Sequence, residues 1–379
     1  MTRYFLNPNA RTGPAQTGLF DEHEYRQVSG FEVQPTPLWH LKGLASRISV
    51  ADILLKDESS RLGLNAFKIL GVSYAVGRLL NENGFGKGSV LVCATTGNHG
   101  RAVAHAAREH GLDAKVYVPA DTAAARIEAI EAEGASVVTV DGNYDDAVRL
   151  ATEDARRHGW TIISDTAWAG YEEIPRLIMA GYTKLMDEAE SQWAPEPPPD
   201  VVLVQAGVGG LACAVVSWLC HRFGAQRPFT IVCEPASAAC YLESARAGKP
   251  VSLRGPFSTN MAGLASGEVS SMAWPTVAGA ADAFVAIDDE PSMQLMRDLA
   301  HPTEGDPVIV AGASGVCGLA VLLEILRDEA LRPVREASSL SARSRVLVIN
   351  TEGATDPELY ARVTTTGNSK TDFGERETP

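Results

Sequence analysis

The chain has 379 residues, of which 45% are hydrophobic and 21% are charged, and its formal net charge is −14. This composition predicts a globular protein of about two domains with filled cores, and it excludes a disordered or fibrous chain. The lysines and arginines form no cluster, so we expect no nucleic-acid partner and no membrane partner.

The cysteines and the N-terminal sequence indicate the compartment. No C-x-x-C pair and no metal-ligand spacing occurs, so the sequence predicts neither disulfide bonds nor a metal site, as in a reducing compartment. The stretch "MTRYFLNPNAR" (1–11) has no apolar core that could serve as a signal peptide. We therefore expect a cytoplasmic protein. The cysteines are Cys93, Cys213, Cys220, Cys233, Cys240 and Cys317.

The first informative element is a helix predicted from Lys68 to about Leu80. It opens in "GLNAFKILG" (63–71), where the lysine is surrounded by apolar and small residues. The stem of Lys68 could lie along a core while its ammonium group reaches water. Alternatively, an amine in an apolar pocket loses solvation of its charged form and becomes a nucleophile that forms a Schiff base with an aldehyde cofactor.

Short apolar strands then alternate with helical segments. The alternation predicts parallel sheets that helices cover on both faces, and therefore an α/β protein. We interpret "LRPVREASSLSARSR" (331–345) as a surface loop. The predicted strands are "SVLVCA" (89–94), "AKVYVP" (114–119), "ASVVTVD" (135–141), "FTIVCEP" (229–235), "AFVAID" (283–288) and "SRVLVINTEG" (344–353).

A proline run, "APEPPPD" (194–200), marks the clearest boundary between domains. We predict a discontinuous large domain from 1–74 plus 196–363, a small domain from 75–195, and a mobile polar tail from 364–379. The uncharged segment 201–220 has the length of a membrane span. Its central glycines divide it into a strand, a turn and a helix, so we reject that interpretation.

Two glycine turns carry candidate chemistry. "QAGVGGLA" (205–212) presents backbone N–H groups and a positive helix end to an anion, and without a Walker lysine or a G-x-G-x-x-G spacing we expect a single phosphate there. In "ATTGNHGRAVA" (94–104), Asn98 and His99 offer polar contacts to a ligand. The simpler interpretation of that second turn is a helix cap formed by Thr95 or Thr96.

The order of these motifs resembles the fold type II pyridoxal-phosphate (PLP) enzymes, which have a two-domain fold like that of the tryptophan synthase β-subunit. A lysine follows Asn-Ala-Phe, a T-G-N-H turn comes about thirty residues later, and G-V-G-G follows after about another hundred. The segments "KDESSRLGLNAFKILG", "SDTAWAGYEEIP", "MAGLASGE" and "TEGATD" resemble the diaminopropionate ammonia-lyase family, which converts 2,3-diaminopropionate to pyruvate. The resemblance covers residues 31–360.

The resemblance implies a role for each matching residue. Lys68 becomes the Schiff-base lysine and the base for an L-substrate, and Asp165 becomes an active-site acid or base. Asn98 contacts the cofactor ring, and Thr351 faces its pyridine nitrogen, which stays unprotonated and favours elimination over transamination. Without the resemblance, Thr351 is a threonine at a strand end and Asp165 is a helix cap. The phosphate loop is Gly207, Val208, Gly209 and Gly210, and Gly263 is a further cofactor contact.

One position departs from the family pattern. The family turn reads T-D-G-N-H, whereas this chain has Thr96 where the aspartate stands, with Thr95 before it and both beside the substrate. A threonine hydroxyl is a poor general base at neutral pH, so we expect a preference for an L-amino-acid substrate. The resemblance also implies a homodimer.

Two other functions stay open. A PLP-dependent dehydratase or racemase of β-hydroxy amino acids uses the same lysine, turn and loop, and Thr96 brings the turn closer to the S-G-N-H type of that group. A catalytically silent ligand sensor on the same fold is the alternative from another class. Its mark is a cofactor absorbance that shifts with an amino acid and yields no product.

Overall fold

The computed structural model describes residues 3–11, 18–82, 86, 88–95, 97–142, 144–302 and 305–365. Thr96 and positions 366–379 of the predicted tail lie outside these ranges. The strands are β1 (Arg3–Leu6), β2 (Leu38–His40), β3 (Asp52–Asp57), β4 (Val90–Ala94), β5 (Asp113–Pro119), β6 (Ser136–Val140), β7 (Thr161–Ile162), β8 (Val201–Gln205), β9 (Phe229–Pro235), β10 (Ala283–Ile287) and β11 (Arg345–Asn350).

The described helices connect and cover these strands, and none of them is long and apolar enough to cross a membrane. They are α1 (Glu22–Ser29), α2 (Lys42–Arg47), α3 (Lys68–Glu82), α4 (Asn98–Glu109), α5 (Ala124–Glu131), α6 (Tyr144–His158), α7 (Glu173–Tyr182), α8 (Lys184–Trp193), α9 (Gly210–Phe223), α10 (Cys240–Ala247), α11 (Trp274–Ala280), α12 (Asp289–Ala300), α13 (Cys317–Arg327), α14 (Arg332–Ala337) and α15 (Pro357–Thr365).

The chain packs as two compact units. Unit 1 comprises Met1–Leu19, Pro35–Ser59 and Leu185–Pro379, and unit 2 comprises Phe20–Gln34 and Ser60–Lys184. The order of strands in the sheet of unit 1 is β1-β10-β9-β8-β11-β3-β2. Adjacent strands run parallel, except that β1 and β2 at the two edges run antiparallel to their neighbours. Every residue of β3, β8, β10 and β11 is buried, as expected for a parallel sheet with helices on both faces.

Unit 2 contains a smaller, fully parallel sheet with the order β6-β5-β4-β7. Helix α3 packs against α4 and α7 of the same unit. Two glycines allow α3 and α7 to approach closely, because a Cβ on Gly71 would lie 2.4 Å from the carbonyl oxygen of Ile178, and one on Gly181 would lie 2.9 Å from the Cα of Gly71. The position of α3 is therefore fixed by backbone contact along its first turns.

The predicted α/β fold with mostly parallel sheets is confirmed, but the units divide elsewhere than at the predicted boundaries. Helix α3 lies in unit 2 because its partners α4 and α7 do. The stretch Phe20–Gln34 joins unit 2 because Glu24 accepts hydrogen bonds from Tyr74 and pairs with Arg176. The predicted loop 331–345 is wrong in part, because it contains α14, where buried Val334 and a proline in the first turn favour a helix.

An ion pair is buried in unit 1. The ammonium group of Lys56, on β3, donates to Glu188 Oε2 at 2.6 Å and to the carbonyl oxygen of Thr36 at 2.6 Å. The side chain of Lys56 has no solvent exposure. The loss of one partner of such a pair leaves a buried charge uncompensated, which costs about 3–5 kcal/mol.

We expect Lys56→Met to lower the free energy of unfolding by about 3–5 kcal/mol, because Glu188 would keep its charge without its cation. The matched control is Glu190→Ala, which removes a half-exposed ion pair with Arg222 and should cost about 0–1 kcal/mol. Urea unfolding of both variants measures the difference. Equal losses would show that the Lys56 pair contributes no more than a surface pair.

Candidate active site

The segment that leads into α3 is held in an uncommon backbone conformation. Leu62 and Asn65 have φ angles of 49° and 60°, in the left-handed region that residues other than glycine rarely adopt. The buried guanidinium of Arg61 donates to the carbonyl oxygen of Gln34 at 2.8 Å, and Arg101 donates to that of Leu64 at 3.1 Å. These bonds offset the strain, which is about 1–3 kcal/mol for each such residue.

Lys68 follows this segment as the first residue of α3, and its ammonium group forms a hydrogen-bonded ion pair with Asp165. Asp165 follows β7, and His99 lies in the first turn of α4 after the adjacent strand β4. His99 Nδ1 is 3.9 Å from the same carboxylate oxygen, Asp165 Oδ2. The carboxyl ends of parallel strands are the usual location of ligand sites in α/β proteins.

The charges of the three groups follow from their surroundings. Burial opposes ionisation of Asp165, but the ammonium of Lys68, which attracts the carboxylate and hydrogen-bonds to it, outweighs burial and holds the pKa of Asp165 well below its usual range. Burial lowers the pKa of His99 below its ordinary value, and the nearby carboxylate offsets this only in part. Asp165 is therefore an anion and His99 is neutral at neutral pH.

The hydrogen of the neutral His99 ring lies on Nε2. That nitrogen is 2.8 Å from the carbonyl oxygen of Ile163, which can only accept a hydrogen bond. Nδ1 then carries a lone pair, and this buried atom has no hydrogen-bond partner. An acceptor without a partner beside the Lys68–Asp165 pair is a feature of a ligand site.

Tyr171 fixes the backbone that precedes Asp165. Its hydroxyl donates to the carbonyl oxygen of Ile162 at 2.8 Å and accepts from the N–H of Ser164 at 2.8 Å. Its ring stacks on Trp168 with the centroids 4.2 Å apart. The position of the carboxylate is thus set by a tight turn, and the "DTAWAGY" segment acts as a clamp.

Two expectations from the sequence need correction or extension. Lys68 does not lie in a purely apolar pocket, because Asp165 pairs with it and its side chain is 22% exposed. The cap interpretation of the 94–104 turn holds for Thr95, whose hydroxyl accepts from the N–H groups of Gly97 and Gly100 at 3.0 and 3.3 Å. A place of Thr95 beside the substrate stays a prediction.

Unit 1 contains the second set of predicted residues. The turn after β8 runs through Gly207 and Val208 to Gly209, and α9 begins at Gly210. Gly209 has a φ of 99°, and a Cβ there would lie 1.8 Å from the hydroxyl oxygen of Tyr241, so only glycine fits. The free N–H groups at the start of a 14-residue helix favour a phosphate.

Thr351 lies at the same edge of the sheet, directly after β11, the strand beside β8. Its hydroxyl oxygen accepts a hydrogen bond from Gln205 Nε2 at 3.1 Å. Gly263 is tied to this edge by its N–H, which donates to Ser314 Oγ at 3.0 Å, and its carbonyl oxygen lies against Gly207. Unit 1 thus gathers the predicted phosphate loop, Gly263 and Thr351.

The comparisons with known proteins agree with this geometry. A family model described as "Pyridoxal-phosphate dependent enzyme" matches residues 31–352. Diaminopropionate ammonia-lyase of Escherichia coli strain K12 is 39% identical over 355 residues, 89% of each chain. The protein of that name from Salmonella typhimurium strain LT2 is 40% identical over 358 residues, 88% of this chain and 89% of that one.

A solved structure gives the same result. The crystal structure of diaminopropionate ammonia-lyase from Escherichia coli in complex with an aminoacrylate-PLP azomethine reaction intermediate matches with a TM-score of 0.89 and 37% identity. The match covers 97% of this chain and 98% of that chain. The fold and the residues described above define a PLP-dependent enzyme of fold type II, whose cofactor is pyridoxal 5'-phosphate.

Within that class, the chain belongs to the diaminopropionate ammonia-lyase family. The residues fit the cofactor: Lys68 offers an amine, the turn after β8 offers N–H groups, and Thr351, a residue that is 3% exposed, offers a hydroxyl. The resemblance, the fold class and the cofactor expected from the sequence are confirmed. The roles of the individual residues stay predictions.

Sequence reasoning does not single out two contributors to the site, Tyr171 and Gln205. Tyr171 lies inside the segment "SDTAWAGYEEIP", and Gln205 opens the glycine turn 205–212. The sequence indicates His99 as a polar contact but not its proximity to Asp165, because the two are far apart in sequence. A tyrosine six residues after the candidate aspartate was the available signal for the clamp.

We expect Tyr171→Phe to lower the free energy of unfolding by about 1 kcal/mol, because the partly buried N–H of Ser164 would lose its acceptor. It should also lower kcat, since Asp165 would lose the turn that positions it. Tyr117→Phe is the matched control, because it removes a hydroxyl that bonds Asp154 at 2.7 Å in the same unit. Unchanged kcat in Tyr171→Phe would show that the clamp is not needed for catalysis.

Proposed function

We propose that this protein is a PLP-dependent ammonia-lyase that catalyses α,β-elimination of L-2,3-diaminopropionate, or of a close β-substituted L-amino acid, to a 2-oxo acid and ammonia. The observation that carries the proposal is the Asp165 carboxylate, which is ionised and already binds an ammonium group, that of Lys68. The identity to diaminopropionate ammonia-lyases supports the same assignment.

When bound, the cofactor supplies the electron sink that stabilises negative charge at the substrate Cα. Lys68 would hold the cofactor through Nζ and would act as the base for the Cα proton of the substrate. The turn from Gly207 to Gly210 would bind the phosphate, with Val208 contributing its backbone N–H. Asn98, at the first position of α4, and Gly263 would contact the cofactor, Asn98 through the ring hydroxyl.

Asp165 has a more specific role in this proposal than a general acid. A carboxylate with a lowered pKa is a poor proton donor at neutral pH, but it attracts ammonium groups strongly. We assign it to the second amino group of the substrate, which it holds in the protonated form that departs from Cβ. Two roles follow in sequence: the carboxylate first pairs with Lys68, and then with the leaving ammonium.

The stoichiometry of the products tests the proposed function. One molecule of L-2,3-diaminopropionate and one water give one pyruvate and two ammonia. L-serine, in contrast, gives one ammonia for each pyruvate. We expect two ammonia per pyruvate from L-2,3-diaminopropionate and a much lower kcat/KM for L-serine, because a hydroxyl group gives Asp165 no charge to bind. Enzymatic assays of pyruvate and ammonia on the same samples provide the ratio.

The alternatives predict other outcomes of that assay. Higher kcat/KM for L-serine or L-threonine than for L-2,3-diaminopropionate would support the dehydratase or racemase. A cofactor spectrum that shifts with the amino acid while neither product appears would support the sensor.

We expect Asp165→Asn to lower kcat by about 10²-fold or more, while the Kd for PLP changes little, because Asp165 is assigned to the leaving group and not to the cofactor. The amide keeps the shape of the side chain and removes its charge. Asp154→Asn, on α6 of the same unit, is the matched control and should retain kcat. A parallel loss of PLP affinity in Asp165→Asn would make the residue structural.

The stereochemical preference depends on Thr96. Lys68 alone would take the Cα proton, so we expect a strong preference for the L-isomer of the substrate. Thr96→Asp supplies the carboxylate of the family and should introduce activity toward D-2,3-diaminopropionate, since general bases contribute about 10²- to 10⁴-fold. Pyruvate release from each separate isomer measures it, and efficient D-turnover by the unmodified protein would contradict the assignment.

We propose further that the protein is a cytoplasmic homodimer. The described cysteines are free, which supports a reducing compartment. The dimer rests on the family resemblance alone, and sedimentation of the purified protein measures it.

A further inference from the structure

Gln205, the last residue of β8, makes an unusual set of hydrogen bonds. Its Nε2 lies 3.1, 2.8 and 3.0 Å from the carbonyl oxygens of Ser314, Gly315 and Ile349, and 3.1 Å from Thr351 Oγ1. An amide nitrogen carries two hydrogens, so these four acceptors share them. The side chain is 2% exposed, and the whole set lies within unit 1.

These contacts fix the orientation of the amide. With its ends exchanged, the Gln205 oxygen would face three carbonyl oxygens, which also carry negative partial charge. In the observed orientation Oε1 is buried without a hydrogen-bond partner, and an acceptor in that condition costs about 1–3 kcal/mol. The N–H groups of Gln205 therefore stay directed at these oxygens, although the side-chain oxygen of Gln205 is left without a hydrogen bond.

The orientation of Gln205 determines what Thr351 can offer. A hydroxyl has one hydrogen and two lone pairs, and the N–H of Gln205 occupies a lone pair of Thr351. Among the described residues, no protein acceptor receives the hydroxyl hydrogen of Thr351, which is 3% exposed. Because a hydrogen cannot point at another donor, the Thr351 hydroxyl must present its hydrogen to whatever group lies on its remaining side.

We propose that Gln205 is a positioning residue that makes the Thr351 hydroxyl a hydrogen-bond donor to the pyridine nitrogen of the cofactor and so keeps that nitrogen unprotonated. This inference rests on the proposed function and on the assignment of Thr351 to the pyridine nitrogen. A threonine without such a neighbour can turn either way, since it can donate to a nearby carbonyl and accept from a protonated pyridine. Gln205 limits that choice, because its N–H group lies against one lone pair of the hydroxyl and the hydroxyl hydrogen cannot point toward that donor.

The pyridine nitrogen can be observed directly with ¹⁵N-labelled PLP, because its ¹⁵N chemical shift reports whether it carries a proton. In the unmodified holoenzyme we expect the shift of an unprotonated pyridine at neutral pH. A protonated nitrogen in that sample would overturn the proposal, and this result does not depend on any variant.

Two variants separate the role of Gln205 from a purely structural one. Gln205→Met keeps the length of the side chain and removes both N–H donors, so Thr351 can turn its hydrogen to a carbonyl. We expect the protonated fraction of the pyridine to rise about tenfold, the effect of about one pKa unit. In a Thr351→Val background, where no hydroxyl remains, Gln205→Met should leave the shift unchanged.

Two results in this set would contradict the proposal. One is a holo Gln205→Met protein with the shift of the unmodified enzyme, and the other is an equal change in the Thr351→Val background. If Gln205→Met does not fold, a protonated pyridine in the unmodified enzyme would still overturn the proposal. Failure of PLP to attach to Lys68 would instead refute the proposed function, whereas a protonated pyridine on a correctly attached cofactor refutes this inference alone.

Discussion

The ion pair between Lys68 and Asp165 is the interaction on which the rest of the site depends. A lysine at the first position of a helix would ordinarily extend into solvent, and this one is instead held by a largely buried carboxylate. The pair keeps Asp165 ionised in spite of its burial, and in our proposal that charge binds the second ammonium group of the substrate. The conformation of residues 61–67, the glycine contact between α3 and α7, and the Tyr171 clamp all serve to bring the two side chains together.

The candidate functional groups of the two units differ in kind. Unit 2 places an amine, an anion and a neutral imidazole at the carboxyl ends of β4 and β7 and at the start of α3. Unit 1 offers backbone N–H groups after β8 and the hydroxyl of Thr351 after β11. In both units groups lie at strand ends, because parallel strands bring their carboxyl ends to one edge and the following turns carry the candidate residues. The candidate amine and carboxylate thus lie in unit 2, and the candidate phosphate loop lies in unit 1.

Much of the fold could be predicted from the sequence because its signals are local. The strand "FTIVCEP" coincides with β9, and β4, β6, β10 and β11 lie within predicted strands, since buried parallel strands are continuous apolar runs. The glycine turn after β8 is predictable because glycines interrupt the uncharged segment 201–220. The edge strands β1 and β2 were missed because they are short and half-buried. The unit boundaries were misplaced because α3 and Phe20–Gln34 are assigned by side-chain contacts that composition does not reveal.

The sequence nominates candidate residues for the site but does not reveal their interactions. Lys68 stands out by its motif, and Asp165 and Thr351 by the family resemblance, yet the partner of each is remote in sequence, and Gln205 and Thr351 are 146 positions apart. The pKa of Asp165 depends on such partners, so no local sequence pattern could indicate whether that pKa is raised or lowered.

The central claim is that Lys68 carries the cofactor, and one measurement tests it most directly. The purified holoenzyme is reduced with borohydride, digested with trypsin and analysed by mass spectrometry. Our account predicts that the pyridoxyl group is found on Lys68 in an uncleaved peptide of residues 62–78, because trypsin does not cut after a modified lysine. A pyridoxyl group on any other lysine, with cleavage after Lys68 intact, would contradict it.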